Sequence, residues 1–277
     1  MKKNLSNLHR RVLLTHTSSG VIRRAYWVKD GEVPSHRMAT NQQTAGVSPS
    51  QRVSVSYGML FSKRANAEVA HAVDAISKTH QVPGNIHKIA VHVAGTLDEA
   101  HAVYYPVGKI GHKDPLIQVS RFTPWPASSL AHEYGHYIDH HLFGNGTNHW
   151  RAWGSSSRKA KDGYLEPSKE LMPVMQALYN SKASQKMIGY FKGSIQSGDK
   201  HRIKIYKYWL SPCEMFARGY AQWVGLRSSK LVHDQIHEMR TMYEQYGYPV
   251  QWEDRDFAPI AREFDRLFRN RRLLKKP

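Results

Sequence analysis

Residues 126–143 read PASSLAHEYGHYIDHHLF, and this stretch predicts a helix that is buried along one face. Its large apolar residues recur every four positions and form one stripe: Leu130, Tyr134, Ile138 and Leu142. Such spacing is typical of an amphipathic helix whose stripe faces a core. Pro126 suits the first helical turn, and Gly144 favours the end of the helix. The stretch therefore predicts a helix over 128–143 that packs inside the protein.

The same helix carries a pair of histidines on another face. His132 and His136 are four positions apart, so their imidazoles project about one turn from each other and can bind one ion. Glu133 lies between them, close enough to accept a proton from water bound to that ion. Gly135 costs a helix interior about 1 kcal/mol relative to alanine, which favours close packing beside a site. The motif predicts a metal centre, and the alternative interpretation is a histidine-rich surface helix.

A catalytic zinc centre needs a third protein ligand and one position open to water. Glu214 has the best local context among the candidates, because a new helix is predicted to begin there. The other candidates are Asp139, His140, His141, His149, Glu166 and Glu170. Glu214 also has an ordinary structural interpretation, since Ser211-Pro-Cys-Glu214 matches a capping box at a helix start. The residues alone leave both interpretations open.

Two segments together carry a family likeness. His132-Glu-Tyr-Gly-His-Tyr-Ile-Asp139 is followed, 78 residues after His136, by Glu214-Met-Phe-Ala-Arg-Gly-Tyr. This pair resembles the zincin metallopeptidases whose third ligand is a glutamate on a later helix. It is similar to the zincin-like domain of large polyvalent proteins of phages and mobile elements, and to the peptidase domain of anthrax lethal factor. The likeness covers roughly residues 116–226.

The resemblance implies one zinc ion with three protein ligands, His132, His136 and Glu214. It implies that Glu133 is the base and that a tyrosine stabilises an oxyanion, for which Tyr208 is the candidate and Tyr206 its neighbour. Asp139 is expected to hold the metal helix or an imidazole from outside the ligand set. Arg218 departs from the pattern, which places an acidic residue four positions after the third ligand. The implied activity is that of a zinc metallopeptidase, an endopeptidase acting on a protein or peptide substrate.

The rest of the chain predicts an α+β fold, with a small mixed sheet packed on the metal-binding helix and a mostly helical C-terminal half. Strands are predicted at 52–61, 86–93, 102–107 and 116–122. Helices are predicted at 62–78, 167–179, 211–226, 231–246 and 254–274. The strand at 116–122 is expected to be the sheet edge to which an extended substrate adds. Residues 1–50 are interpreted as a polar, basic arm, and residues 51–277 as one zincin-like domain with a helical extension.

Charge and cysteine content suggest partners and a compartment. Lysine and arginine number 40 against 22 acidic residues, which gives a formal charge of +18. This charge would attract nucleic acid, and the alternative interpretation is an evenly charged, solvated surface that binds no partner. The single cysteine, Cys213, excludes an intrachain disulfide and favours a reducing compartment, so we expect the cytoplasm of a bacterial host or a virion. No segment predicts a transmembrane helix or a cleaved signal peptide. The alternative function is a basic nucleic-acid-associated or virion protein with a structural or inactive zincin fold.

Overall fold

A five-stranded mixed sheet, a two-stranded ribbon and eight α-helices make up the described part of the chain. This confirms the predicted α+β class and the mostly helical C-terminal half. The computed structural model of the protein describes residues 42–48, 53–58, 63–94, 97, 100–106, 115–146, 153–156, 158–159 and 165–275. Over those ranges, no helix has the length and apolar character needed to cross a membrane.

The strands of the main sheet lie in the order β1-β2-β3-β5-β4. Their bounds are β1 Gln42–Ser48, β2 Val53–Gly58, β3 Ile89–Ala94, β4 Ala102–Tyr105 and β5 Leu116–Ser120. Strands β2, β3 and β5 are parallel, and β1 and β4 pair antiparallel at the two sides. The expectation that 116–122 forms the sheet edge is wrong, because β5 is bonded to β3 on one side and to β4 on the other. The edge beside the motif helix is β4.

The helices are α1 Lys63–Thr79, α2 Pro126–His141, α3 Met172–Asn180, α4 Lys182–Ser197, α5 Lys200–Trp209, α6 Pro212–Ser228, α7 Lys230–Gln245 and α8 Asp254–Asn270. The ribbon joins β6, Arg158–Lys159, to β7, Leu165–Glu166, and a 3₁₀ turn covers Gly154–Ser156. Six of the eight helices overlap helices predicted from the sequence. The order of elements puts the sheet first and a helical bundle after it.

The motif helix α2 lies at the centre of this arrangement. It contacts strands β4 and β5 and helices α1 and α6. All four residues of its apolar stripe are buried, as the spacing predicts. A Cβ atom at Gly135 would lie 2.9 Å from the Cα of Ala217 on α6, so only glycine allows this approach of the two helices. The predicted close packing at Gly135 is confirmed, and it sets the distance between α2 and α6.

Two parts of the fold differ from the sequence expectation. Strand β1 lies inside the segment 1–50 that was interpreted as an arm, while residues 1–41 lie outside the described residues and the boundary at 50 stays a prediction. Helices α4 and α5 have no counterpart among the predicted helices. Gly189 and Gly193 lower the helix propensity of α4, and lysines interrupt the short apolar pattern of α5.

Candidate metal centre

The three predicted ligands come from two helices and lie together where α6 begins. Nε2 of His132 lies 3.2 Å from one carboxylate oxygen of Glu214, and Nε2 of His136 lies 3.2 Å from the other. One donor atom from each residue falls within 4.8 Å of the other two. Among the described residues, these three side chains form the one metal-ligand cluster of this spacing.

The three side chains offer donor atoms of the kind that zinc binds. Zinc bonds to imidazole nitrogen and carboxylate oxygen are about 2.0–2.2 Å long, which places neighbouring tetrahedral donors about 3.3 Å apart. Each imidazole nitrogen lies 3.2 Å from a different oxygen of the Glu214 carboxylate, and one donor atom from each of the three residues falls within 4.8 Å of the other two. Two imidazoles and one carboxylate are also a donor set that zinc accepts. The side chains present therefore fit a zinc ion in chemical type and in their convergence on one point.

The start of α6 bears on the two interpretations of Glu214. Ser211 is the N-cap residue and Pro212 occupies the first turn, but the Ser211 side chain makes no capping hydrogen bond. Glu214 is 3% exposed, and its carboxylate lies against the two imidazoles. The geometry thus supports Glu214 as a ligand and does not support the capping box.

Burial and charge set the protonation of the cluster. Burial disfavours the imidazolium of His136, but the Glu214 carboxylate outweighs it, and the pKa of His136 rises to about 9. Burial also disfavours the charged form of Glu214, yet the two imidazoles, His136 above all, hold its pKa well below the usual range. The carboxylate is therefore charged and holds a cationic partner. A divalent ion that binds here would replace the proton on the imidazole.

Glu133 faces the same cluster from the motif helix. One of its oxygens lies 3.9 Å from Nε2 of His132, and the other accepts a hydrogen bond of 2.8 Å from the backbone N–H of Tyr104 on β4. Burial raises the pKa of Glu133 above that of an ordinary glutamate, and the Glu214 carboxylate adds to the rise. A carboxylate with a raised pKa and a fixed position is a better proton acceptor than an ordinary glutamate, as a general base requires.

A cavity of about 130 Å³ opens beside the cluster. His132, Glu133 and Glu214 line one part of it, and Tyr208 from α5 joins them. Burial raises the pKa of Tyr208 well above the usual value, and the nearby Glu214 carboxylate adds to the rise, so the hydroxyl keeps its proton. The opposite wall is mainly apolar and contains Trp209, Ile236, Met239, Tyr243 and Val250. Two of the predicted ligands, the predicted base and the predicted tyrosine thus border one space large enough for part of a substrate.

Other sequence candidates lie apart from the ligand cluster. Asp139 is fully buried and accepts hydrogen bonds from the backbone and hydroxyl of Ser155, so it ties α2 to the 3₁₀ turn. The Nδ1 atom of His140 lies 2.9 Å from the Tyr104 hydroxyl, and Glu170 pairs with an arginine on another surface. His149 and the side chain of Glu166 lie outside the described residues. Tyr206 does not line the cavity, whereas Tyr208 does, together with Tyr243.

Two contributors to the site carried little or no signal in the sequence. Tyr104 holds Glu133 through a backbone N–H, which no side-chain pattern encodes. Arg218 stood out only as a departure from the family pattern. Its buried guanidinium donates to the backbone carbonyls of Trp209 and Val250, so it joins two segments of the cavity wall. Burial lowers the pKa of Arg218 to about 10, so the side chain remains a cation at neutral pH.

Comparison with known proteins gives no relative for this chain. No protein-family model matches the sequence, and neither the curated proteins nor the solved structures contain a significant match.

Proposed function

We propose that this chain is a zinc-dependent metallopeptidase with a zincin-like fold and a glutamate third ligand. The observation that carries the proposal is the meeting of His132, His136 and Glu214 around one point beside a cavity. Glu133 borders the same cavity and has a raised pKa. This combination is what hydrolysis by an activated water requires.

The chemistry divides between a bound ion and the side chains of the chain. A zinc ion held by the two histidines and Glu214 supplies Lewis-acid polarisation of a carbonyl and lowers the pKa of water. Glu133 accepts a proton from the attacking water and passes it to the leaving amine. The N–H of Tyr104 holds the Glu133 carboxylate in place for both transfers. The Tyr208 hydroxyl donates to the oxygen on which negative charge develops.

The number of protein ligands favours a catalytic centre over a structural one. Structural zinc sites are closed by four protein ligands, whereas catalytic sites keep one position for water. In the described structure the cluster has three protein ligands. Its more open side is at His132, whose side chain is 21% exposed against 8% for His136. Cys213, the residue next to Glu214, is buried in the core and is not part of the cluster.

The surroundings of the centre indicate how a peptide would lie. Strand β4 is the sheet edge nearest α2, so an extended peptide can add to β4 as a further strand. Ala102, the first residue of β4, and His101 before it line the cavity. The apolar wall formed by Ile236, Met239 and its neighbours suits a large apolar side chain next to the scissile bond. The proposed substrate is therefore an unfolded or extended protein segment with such a residue.

The proposal is tested by metal analysis and proteolysis on the same variants. Wild type is expected to bind one zinc per chain and to cleave dye-labelled casein, with cleavage blocked by a chelator. Glu133→Gln should keep the zinc and lose activity by about 10²-fold or more, since general base catalysis is worth that much. Glu170→Gln, at an exposed ion pair away from the cluster, is the matched control and should change neither.

Each result has a distinct meaning for the assignment. His136→Ala and Glu214→Ala should each lose the zinc, and retention of metal by either variant would remove that residue from the ligand set. A Glu133→Gln protein with full activity and full zinc would rule out the base. Zinc binding without hydrolysis of any unfolded protein would favour the alternative, an inactive zincin fold.

A further inference from the structure

Positive charge is concentrated on one pair of adjacent helices, α4 and α5 (residues 182–209), which we call the basic hairpin. It contains seven lysine or arginine residues and one aspartate, a net charge of +6. All seven cations are exposed: Lys182, Lys186, Lys192, Lys200, Arg202, Lys204 and Lys207. In contrast, α8 carries four arginines and four acidic residues. The positive charge is therefore not spread evenly over the described helices.

One face of α5 is a continuous stripe of lysines. Lys200, Lys204 and Lys207 follow one another at intervals of four and three residues, which places them on one helix face. The stripe is about 10 Å long, from the rise of 1.5 Å per residue. The residues on the opposite face are buried and consist of Ile205, Tyr206 and Trp209. The lysines thus point away from the body of the protein, into solvent.

The charge of the hairpin lacks acidic compensation. Its only acidic residue, Asp199, caps α5 at the backbone N–H of Arg202 and lies 3.6 Å from the Arg202 side chain. None of the six lysines pairs with an acidic side chain of the described residues. Like charges four residues apart destabilise a helix by a few tenths of a kcal/mol per pair. A stripe that costs stability and is neutralised by nothing nearby indicates an external anionic partner.

We propose that the basic hairpin binds nucleic acid through its phosphate backbone, without reading the base sequence. Each strand of duplex DNA carries about one charge per 3.4 Å of the axis, so a stripe of about 10 Å spans roughly three phosphates of one strand, one for each lysine. A membrane surface fits the stripe on α5 less well, because a helix that lies in a bilayer turns an apolar face to the lipid. The apolar face of α5 is packed inside the protein, against the cluster that contains Tyr243 and Val250.

The basic hairpin lies next to the cavity of the candidate metal centre. The C-terminal end of α5 carries Tyr208 and Trp209, which line the metal cavity. Nucleic acid on the lysine stripe would therefore lie within about one helix length, roughly 15 Å, of the residues that line the cavity. If the proposed peptidase function holds, the hairpin places the enzyme beside proteins bound to the same nucleic acid. The binding itself requires neither the metal nor catalysis.

The test compares two triple variants of the full chain in a Glu133→Gln background. The hairpin variant is Lys200→Gln/Lys204→Gln/Lys207→Gln. The control variant is Arg255→Gln/Arg262→Gln/Arg269→Gln, which removes three exposed cations from one stripe of α8 and lowers the net charge equally. Fluorescence anisotropy with a labelled DNA duplex of arbitrary sequence gives Kd, and a salt series gives the slope of log K against log salt.

The expected result is specific to the hairpin. Loss of three phosphate contacts reduces the salt slope by about 2.7 and raises Kd several hundred-fold near 0.1 M salt, whereas the control keeps the wild-type slope. The variant Lys200→Arg/Lys204→Arg/Lys207→Arg should bind as wild type, since it keeps the charge. Equal effects of the two Gln variants, no DNA binding by wild type, or binding only to phosphatidylserine vesicles would each overturn the proposal. Because the metal is not needed, failure here leaves the peptidase assignment untouched.

Discussion

Replacing Gly135 with alanine inserts a methyl group between α2 and α6, the two helices that carry the candidate ligands. The new Cβ would lie 2.9 Å from the Cα and 3.1 Å from the carbonyl oxygen of Ala217, and 3.2 Å from the Cβ of Tyr220. Carbon atoms in contact normally lie about 3.5–4.0 Å apart. The obstacles are largely backbone atoms, which cannot rotate away. The helices must therefore separate by about 0.6 Å or more.

The separation has a cost in stability and a larger consequence for the metal centre. Overpacking of this kind costs about 1–3 kcal/mol, and the rigid neighbours place Gly135→Ala at the upper end. The higher helix propensity of alanine stabilises the helix by about 1 kcal/mol, so the free energy of unfolding falls by about 2 kcal/mol in total. Glu214 lies on α6 three residues before Ala217, so it moves with that helix. A shift of 0.6 Å exceeds the tolerance of about 0.2 Å in metal to ligand distances.

Urea unfolding of the metal-free protein and zinc titration measure the two effects separately. We expect the free energy of unfolding to fall by about 2 kcal/mol and zinc affinity to fall about 10-fold or more. Gly193→Ala is the matched control, because Gly193 lies in a helix interior with no atom within 4 Å of its added Cβ. That variant should be about 1 kcal/mol more stable, with unchanged zinc affinity. A Gly135→Ala protein that behaves like Gly193→Ala would refute the packing argument.

Three further changes test other parts of the site and core. Tyr208→Phe should lower kcat about 10²-fold at unchanged zinc content, since it removes one donor to the developing oxyanion, and steady-state kinetics with an unchanged kcat would contradict that role. Asp139→Ala removes hydrogen bonds of 2.7 and 2.5 Å from Ser155 and should lower the free energy of unfolding by about 2–3 kcal/mol. Urea denaturation checks this value, and a loss no larger than that of Ser155→Ala would show that the carboxylate is not needed. Burial lowers the pKa of His80 from 6.5 to about 4. The neutral imidazole therefore stabilises the fold above pH 6.5, and this stability is lost as the pH falls toward 4, by about 2 kcal/mol between roughly pH 7 and pH 5. The difference between wild type and His80→Gln in urea unfolding at both pH values isolates this contribution, and equal pH dependence would contradict it.

Most single elements could be predicted because their signals are local. The apolar stripe of α2 repeats with the helical period, so the helix and its buried face follow from spacing alone. The pairing of His132 with His136 follows from the same period. The helical spacing of Phe216, Tyr220 and Trp223 likewise predicts a core face, and all three are buried. The pattern failed where the local signal is weak, as in α4, whose two glycines conceal a regular helix.

The order of strands could not be predicted, because hydrogen bonding between strands joins residues that are distant in sequence. The alternation in 116–122 indicates a strand but contains nothing about its neighbours. Only the pairing of Ile117 with Val91 on one side and Tyr104 on the other makes β5 an inner strand and β4 the edge. The position of Glu133 depends on the same pairing, since β4 presents the Tyr104 N–H to its carboxylate.

The linear chain therefore specifies the helix that presents two imidazoles, because a turn of 3.6 residues acts over neighbouring positions. The sequence does not distinguish a capping role from a ligand role for Glu214, since a capping glutamate and a ligand glutamate have the same neighbours in sequence. Packing of α6 against α2, through the contact at Gly135, brings the Glu214 carboxylate to the imidazoles, although 78 residues separate it from His136 in the sequence. A centre built from distant segments depends on how whole faces of helices fit together, and that fit exists only after the chain has folded.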